Sequence, residues 1–234
     1  MRFTFVTLFQ NIIEGYFGDS ILARAVEGGQ ISIDFYNPRD VTSDKHNRVD
    51  APMVGGGAGM LMTPQPLFDT LESILSSSPH AHIIFCSPVG KPFRQHDAKR
   101  LAKKEHIVLV SGRYEGIDER VIEKYADEIF SIGDYILTGG ELASMVLCDA
   151  ISRNVEGVLG NSDSLAIESY DNALLEAPAF TKPLIYGNYS SILEYSKGNH
   201  SKITDLKNRL SRAKTQYFRP DLYNIVKQKA NNEK

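Results

Sequence analysis

The sequence predicts an α/β domain built on a mainly parallel sheet, followed by a small all-α domain. Three observations predict it. Through residue 158, apolar runs rich in β-formers alternate with amphipathic segments, the pattern of βαβ units. After "GVLG" (157–160) the periodicity dissolves into the polar stretch "NSDSLAIESYDN". Beyond "TKP" the chain turns helical and basic. The expected boundaries are therefore 1–158 for the α/β domain, 159–172 for a flexible linker and 173–234 for the helical domain.

The elements follow in order. "RFTFVTL" alternates and reads as a first strand, and "QISIDFY" as a second. Short helices between them stop at Gly28–Gly29. Residues 37–63 are polar and glycine-rich; a loop of that length inside a compact domain marks function or disorder. "PQPLFDTLESIL" starts a helix with Pro64 at its first turn. "AHIIFC" is a strand, "KPFRQHDAKRLAKK" a helix, "EHIVLVSG" a buried strand and "GIDERVIEKYA" a helix. "DEIFSIG" and "DYIL" read as extended, and "GGELASMVLCDAIS" as a helix. In the last domain "SSILEYSKG", "NHSKITDLKNRLSRAKTQ" and "RPDLYNIVKQKA" are all expected to be helical. In the second of these, Ile203, Leu206 and Leu210 share one face while Lys202, Lys207, Arg209, Arg212 and Lys214 cover the rest.

The 234 residues are 42% apolar and 24% charged, ordinary for a globular protein. Net charge is −3, but residues 197–234 hold ten Lys/Arg against three acids, leaving −10 on the first 196 residues. A basic end on an acidic body fits a phosphate partner, and equally a solvated helix surface. Cys86 and Cys148 lie in apolar surroundings without metal-ligand spacing and read as buried thiols. The apolar N-terminus is interrupted by Gln10, Asn11 and Glu14, unlike a signal peptide. No run is long enough to span a bilayer. A cytoplasmic protein with no membrane partner is expected.

Parallel α/β sheets bind ligands at the carboxyl ends of their strands. Three loops hold that position: "CSPVGKP", "SGRYEGIDER" and "SIGDYILTGGEL". Neither a Walker-type P-loop nor a Rossmann glycine fingerprint is present, which disfavours triphosphates and dinucleotides. Loops of this kind suit a ligand gripped by backbone groups, such as an adenosine with a small polar tail. Glu115 on its loop is a candidate ligand contact, whereas Asp118, Glu119 and Arg120 read as a helix start. His46 lacks a second histidine at ligand spacing, and no metal site is expected from side chains.

The motifs "LVSGRYEGIDERV", "SIGDYILTGGELASM", "VEGVLG" and "LLEAPAFTKP" resemble the bacterial tRNA (guanine-N1)-methyltransferase family, TrmD. The likeness extends to "VDAPMVGGGAGM", "FCSPVGK", "GNH" and "RPDL", and so covers nearly the whole chain. It implies a SPOUT fold with a deep trefoil knot at the C-terminal part of the α/β domain. It also implies S-adenosylmethionine bent in the knot, a divalent cation such as magnesium, and an obligate homodimer with active sites built from both subunits. The implied substrate is a tRNA with guanosine at position 37, preceded by guanosine 36. By the same carry-over Phe85, Ser87, Pro88, Gly112, Glu115, Ile132, Gly133, Asp134, Tyr135, Ile136, Leu137, Gly139 and Gly140 hold the cofactor. Asp50, Gly57 and Gly59 join Lys202, Lys207, Arg209, Arg212 and Lys214 as expected tRNA contacts.

Methylating N1 of guanine requires a base for the N1 proton and a cation for charge moving to O6. Arg153 matches the family's catalytic arginine. The family's aspartate base is replaced by Glu168, in "ESY" where Asp-Ser-Phe is usual, with Asp171 the runner-up. Glutamate keeps the proton chemistry but alters reach by a methylene. Further departures are Ala143 and Gln10 at positions usually proline, and Met53–Val54 where Pro-Tyr is frequent. Two rivals are another SPOUT enzyme, which need not keep "VDAPMVGGGAGM", and a catalytically silent RNA-binding protein, favoured only by Glu168. A Rossmann dehydrogenase lacks its fingerprint.

Overall fold

A computed structural model describes residues 1–160, 168–170 and 172–232. The chain divides into two compact units, Met1–Gly160 and Asn161–Lys234.

The first unit is built on a five-stranded sheet. Its strands are β1 (Arg2–Val6), β2 (Ser32–Tyr36), β5 (His82–Pro92), β6 (His106–Ser111) and β7 (Glu128–Ser131), in the spatial order β2-β1-β6-β5-β7. Every pairing is parallel, with Phe3 opposite Ile107 and Ile84 opposite Leu109. All six residues of β6 are buried, as a central strand covered on both faces requires. Alternation then sends its neighbours to opposite faces. Phe3, Phe5, Ile107 and Leu109 pack with Ile13, Leu22, Leu101, Leu147 and Ile151. Those residues come from α1 (Gln10–Glu14), α2 (Ser20–Glu27), α4 (Gln95–Leu101) and α6 (Glu141–Ser152). Val6, Val108 and Val110 face the other way, against Leu67, Leu71, Ile74 and Val121 of α3 (Pro64–Ser77) and α5 (Glu119–Tyr125).

Several expectations change here. The long loop carries a short antiparallel pair, β3 (Asp50–Pro52) and β4 (Met60–Met62). β5 runs on to Pro92, so the following helix begins at Gln95 and not at Lys91. The reason is register: Cys86 and Lys91 both pair with Phe130, so the chain leaves β7 at Ser87 and rejoins it after Gly90. "DYIL" forms no strand.

The second unit is not all-α. Ile185–Tyr186 (β8) and Tyr189–Ser190 (β9) form a hairpin, with Tyr186 opposite Tyr189. Its two-residue turn, Gly187–Asn188, has Gly187 at φ 59°, the conformation such tight turns demand. Leu193–Ser196 is a 3-10 turn where a helix was expected. The helices are α7 (His200–Phe218) and α8 (Pro220–Asn232). Asn199 caps α7 by accepting a hydrogen bond from the Lys202 amide at 3.1 Å. Within this unit the buried Thr215 hydroxyl accepts from the Leu175 amide at 2.8 Å and donates to the Ser211 carbonyl at 2.7 Å.

Candidate active site

The carboxyl ends of β5, β6 and β7 open onto a cavity of about 370 Å³, the size of a small-molecule site. The three loops singled out on topology form its walls. Every expected cofactor residue lines it except Asp134, which is exposed and outside the lining. Local chemistry explains the shape. The excursion between Cys86 and Lys91 carries Ser87 and Pro88 to one wall. On another, the Gly133 amide donates to the Ser131 hydroxyl at 3.2 Å, which in turn donates to the Gly133 carbonyl at 3.1 Å. Gly133 has φ 156°, and a Cβ there would fall 2.3 Å from the Tyr135 ring.

Gly139 and Gly140 line the cavity and also pack tightly against the protein behind it. A Cβ on Gly139 would lie 2.4 Å from Arg113 Nε and 2.7 Å from Glu141 Oε2. One on Gly140 would lie 2.8 Å from Ser111 Cα and 2.9 Å from the Gly112 nitrogen. The Gly140 amide also donates to the Gly112 carbonyl at 2.8 Å, fixing the start of α6 against the end of β6.

Sequence reasoning missed the polar layer behind these glycines. Glu141, only 2% exposed, accepts at Oε1 from the Thr7 hydroxyl and from Arg113 Nε, both at 3.0 Å. Its Oε2 is 2.9 Å from the same Nε without a hydrogen bond of good geometry. Arg113 also donates to the Thr138 carbonyl at 3.2 Å, and its guanidinium sits 4.4 Å from the Phe9 ring centroid. Ser144, one helical turn on, lies 2.8 Å from the Ser111 hydroxyl and 3.5 Å from Cys86 Sγ. Burial pushes the Cys86 thiol up to about 11, against the smaller opposing effect of Ser144. It is therefore a neutral thiol in the cavity wall. A glutamate at the first position of a helix reads from sequence as a favourable dipole partner; nothing in the spacing discloses its arginine 28 residues earlier.

The glycine-rich loop is docked onto the same cavity. The Glu115 amide donates to the Met60 carbonyl at 2.9 Å and the Met62 amide to the Gly116 carbonyl at 3.0 Å. Gly59, at φ 89°, lets Glu115 approach so closely that a Cβ would meet its Oε1 at 2.5 Å. Asp50 lies on β3 of this hairpin and Gly57 in its turn, at φ 124°.

Arg153 follows α6 in the first unit and is half-buried; its amide donates to the Asp149 carbonyl. Glu168 belongs to the second unit and is also half-buried. Asp171 lies outside the described residues. Of the expected tRNA contacts on α7, Arg209 pairs with Asp205 at 3.1 Å and Lys207 Nζ sits 5.7 Å from the Tyr195 ring centroid. Lys202 and Arg209 share a groove with Glu194, Lys197 and Asn199, while Arg212 and Lys214 are outside its lining. Among the described residues no group of three His, Cys, Asp or Glu is placed to hold a metal ion. Nor is any described helix long and apolar enough to cross a membrane.

A parallel sheet with a glycine-lined cavity at the carboxyl ends of its strands defines an α/β domain whose cavity lies where such folds place small ligands. The family model described as tRNA (Guanine-1)-methyltransferase TrmD matches residues 1–225. A protein of Sulfurovum sp. (strain NBC37-1), named tRNA (guanine-N(1)-)-methyltransferase, is 74% identical over 223 residues, 95% of this chain and 98% of that protein. Proteins of the same name from Sulfurimonas denitrificans and Campylobacter curvus are 65% and 60% identical, over 94% and 97% of this chain and 96% of each relative. The chain belongs to the tRNA (guanine-1)-methyltransferase TrmD family.

Proposed function

We propose that this enzyme transfers the methyl group of S-adenosylmethionine to N1 of guanosine 37 in tRNAs that also carry guanosine 36, giving 1-methylguanosine. The observation that carries the reading is the cavity at the ends of β5, β6 and β7 in a chain of this family. Its lining residues are mostly glycine and apolar, which suits an adenosine bent around a short polar tail.

The donor supplies an electrophilic methyl on sulfur. The protein must then strip the N1 proton, so that the N1 lone pair forms the new N–C bond while the C–S electron pair returns to sulfur. Glu168 is the proposed base, and Arg153 the cation that stabilises charge moving onto O6, each step worth about two to four orders of magnitude. Lys202, Lys207, Arg209, Arg212 and Lys214 are assigned to backbone phosphates, which set affinity and register but not base choice. Magnesium held mainly by phosphates and water would need few protein ligands.

The family's trefoil knot is the proposed threading of residues 85–140. One close approach supports it: Gly140, which opens α6, packs against the Ser111–Gly112 backbone at the end of β6. The proposed homodimer is supported by an uncovered apolar face on packed helices. Ile12 of α1, Tyr16 just after it, and Leu142 and Val146 of α6 are 46–53% exposed, the kind of patch that marks an interface.

The test is incubation with methyl-labelled S-adenosylmethionine and a transcript carrying guanosines 36 and 37, followed by nuclease digestion. Labelled 1-methylguanosine is expected from this transcript and not from one lacking guanosine 37. Glu168→Gln is expected to lower the rate at least about a hundredfold with cofactor binding intact. An unchanged rate would remove Glu168 from the mechanism.

A further inference from the structure

The pair Glu141–Arg113 lies in and behind the cavity wall. Arg113 is one of two charged residues in the lining and carries a guanidinium cation. The other, Glu115, is exposed, so water screens it. A second cation entering a partly enclosed cavity beside an uncompensated Arg113 would be repelled. S-adenosylmethionine is such a cation at its sulfur. Glu141 is nine-tenths and more buried, bonds the guanidinium at 3.0 Å, and has its second oxygen 2.9 Å from the same nitrogen. Buried ion pairs are often replaceable by neutral residues at little cost in stability, so the fold by itself does not demand this charge.

We propose that Glu141 is a positioning residue whose buried carboxylate, behind the cavity wall, holds and neutralises Arg113 in that wall, so that a cationic sulfonium is accepted in the cavity. The inference rests on reading the cavity as the S-adenosylmethionine site. Glu141 does so by tying three chain segments together. Thr7 follows β1, Arg113 follows β6, and the Thr138 carbonyl precedes α6; all three converge on this one ion pair. The glycine at 139 is the space the pair needs.

The experiment compares two ligands that differ in one charge. S-adenosylmethionine carries a sulfonium, and S-adenosylhomocysteine a neutral thioether. Both are titrated calorimetrically into the full-length protein, its Glu141→Gln variant and the Arg113→Gln/Glu141→Gln double variant, with melting curves for each. Glutamine keeps the size and an acceptor for Thr7 and Arg113 but leaves the arginine uncompensated. In Glu141→Gln the ratio of Kd for S-adenosylmethionine to that for S-adenosylhomocysteine is expected to rise about tenfold. The double variant is expected to return within about twofold of the wild-type ratio, since both charges are gone. Equal loss of both ligands, or an unchanged ratio, overturns the proposal and leaves Glu141 a purely structural part. If Glu141→Gln does not fold, the double variant decides. It must fold and keep the wild-type ratio, and failure on either count overturns the proposal. Wild-type protein binding neither ligand would instead sink the reading of the cavity.

Discussion

Gly140→Ala separates packing from backbone strain at the centre of the cavity wall. Gly140 has φ −81° and ψ −8°, a conformation alanine adopts freely, so any effect comes from space alone. The added methyl would sit 2.8 Å from Ser111 Cα, 2.9 Å from the Gly112 nitrogen and 3.2 Å from the Ser111 carbonyl carbon. These are backbone atoms of β6 and its loop, which cannot rotate away. Overpacking of this kind costs about 1–3 kcal/mol, and moving α6 outward to relieve it weakens the 2.8 Å bond from Gly140 to Gly112, worth about 1 kcal/mol more. The sum, about 2–4 kcal/mol, corresponds to a melting point lower by roughly 6–12 °C for a chain of this size. Circular-dichroism melting is the assay. Gly15→Ala is the control, since Gly15 is helical, with φ −59°, and a methyl there meets nothing within 4 Å. It should be neutral or gain up to about 1 kcal/mol. A Gly140→Ala protein melting within about 2 °C of wild type would refute the argument, because the crossing would then have room to spare.

Three further outcomes are expected. Glu128 is 14% exposed; burial pushes its carboxyl up, but hydrogen bonds from Arg100, Lys91 and His82 outweigh this and hold it at about 2 against an ordinary 4.5. A depressed pKa stabilises the fold above pH 4.5 and loses that contribution, about 3 kcal/mol, as pH falls toward 2. Urea titrations should therefore show wild type losing stability through that window more steeply than Glu128→Gln, and equal slopes would contradict the assignment. Thr215→Val leaves the Leu175 amide without the acceptor it has at 2.8 Å. Chemical denaturation should register a loss of about 1–3 kcal/mol, and a neutral result would mean water replaces the hydroxyl. Val146→Asp puts a charge on the uncovered face of α6, where Val146 is 48% exposed. If the proposed homodimer forms through this face, light scattering behind a sizing column should report a dimer for wild type and a monomer for the variant; a dimer for both would place the interface elsewhere.

The five strands of the central sheet were legible because period-two alternation and β-formers report burial directly, whereas β3 and β4 were hidden in the polar, glycine-rich stretch read as a loop. Phe3 and Phe5, and Ile107 and Leu109, share one core by that rule. The helical register of α7 was legible from its own period, with Ile203, Leu206 and Leu210 three and then four residues apart and all half-buried. The β8–β9 hairpin was not anticipated, although Tyr186 and Tyr189 flank a Gly-Asn turn, because two-residue strands leave no periodicity to read.

The three loops that wall the cavity could be named from topology alone, since a parallel sheet offers its strand ends to ligands wherever the strands are. What closes those loops into one cavity could not. Cys86 and Lys91 return to the same Phe130, Gly59 makes room for Glu115, and Glu141 reaches back to Arg113 and Thr7. Each is a contact between residues far apart in sequence. Local pattern fixes which residues turn inward along a strand or helix. Where two turned segments cross, and which charge is left to answer which, depends on the packing of the whole chain, and only the tertiary structure decides it.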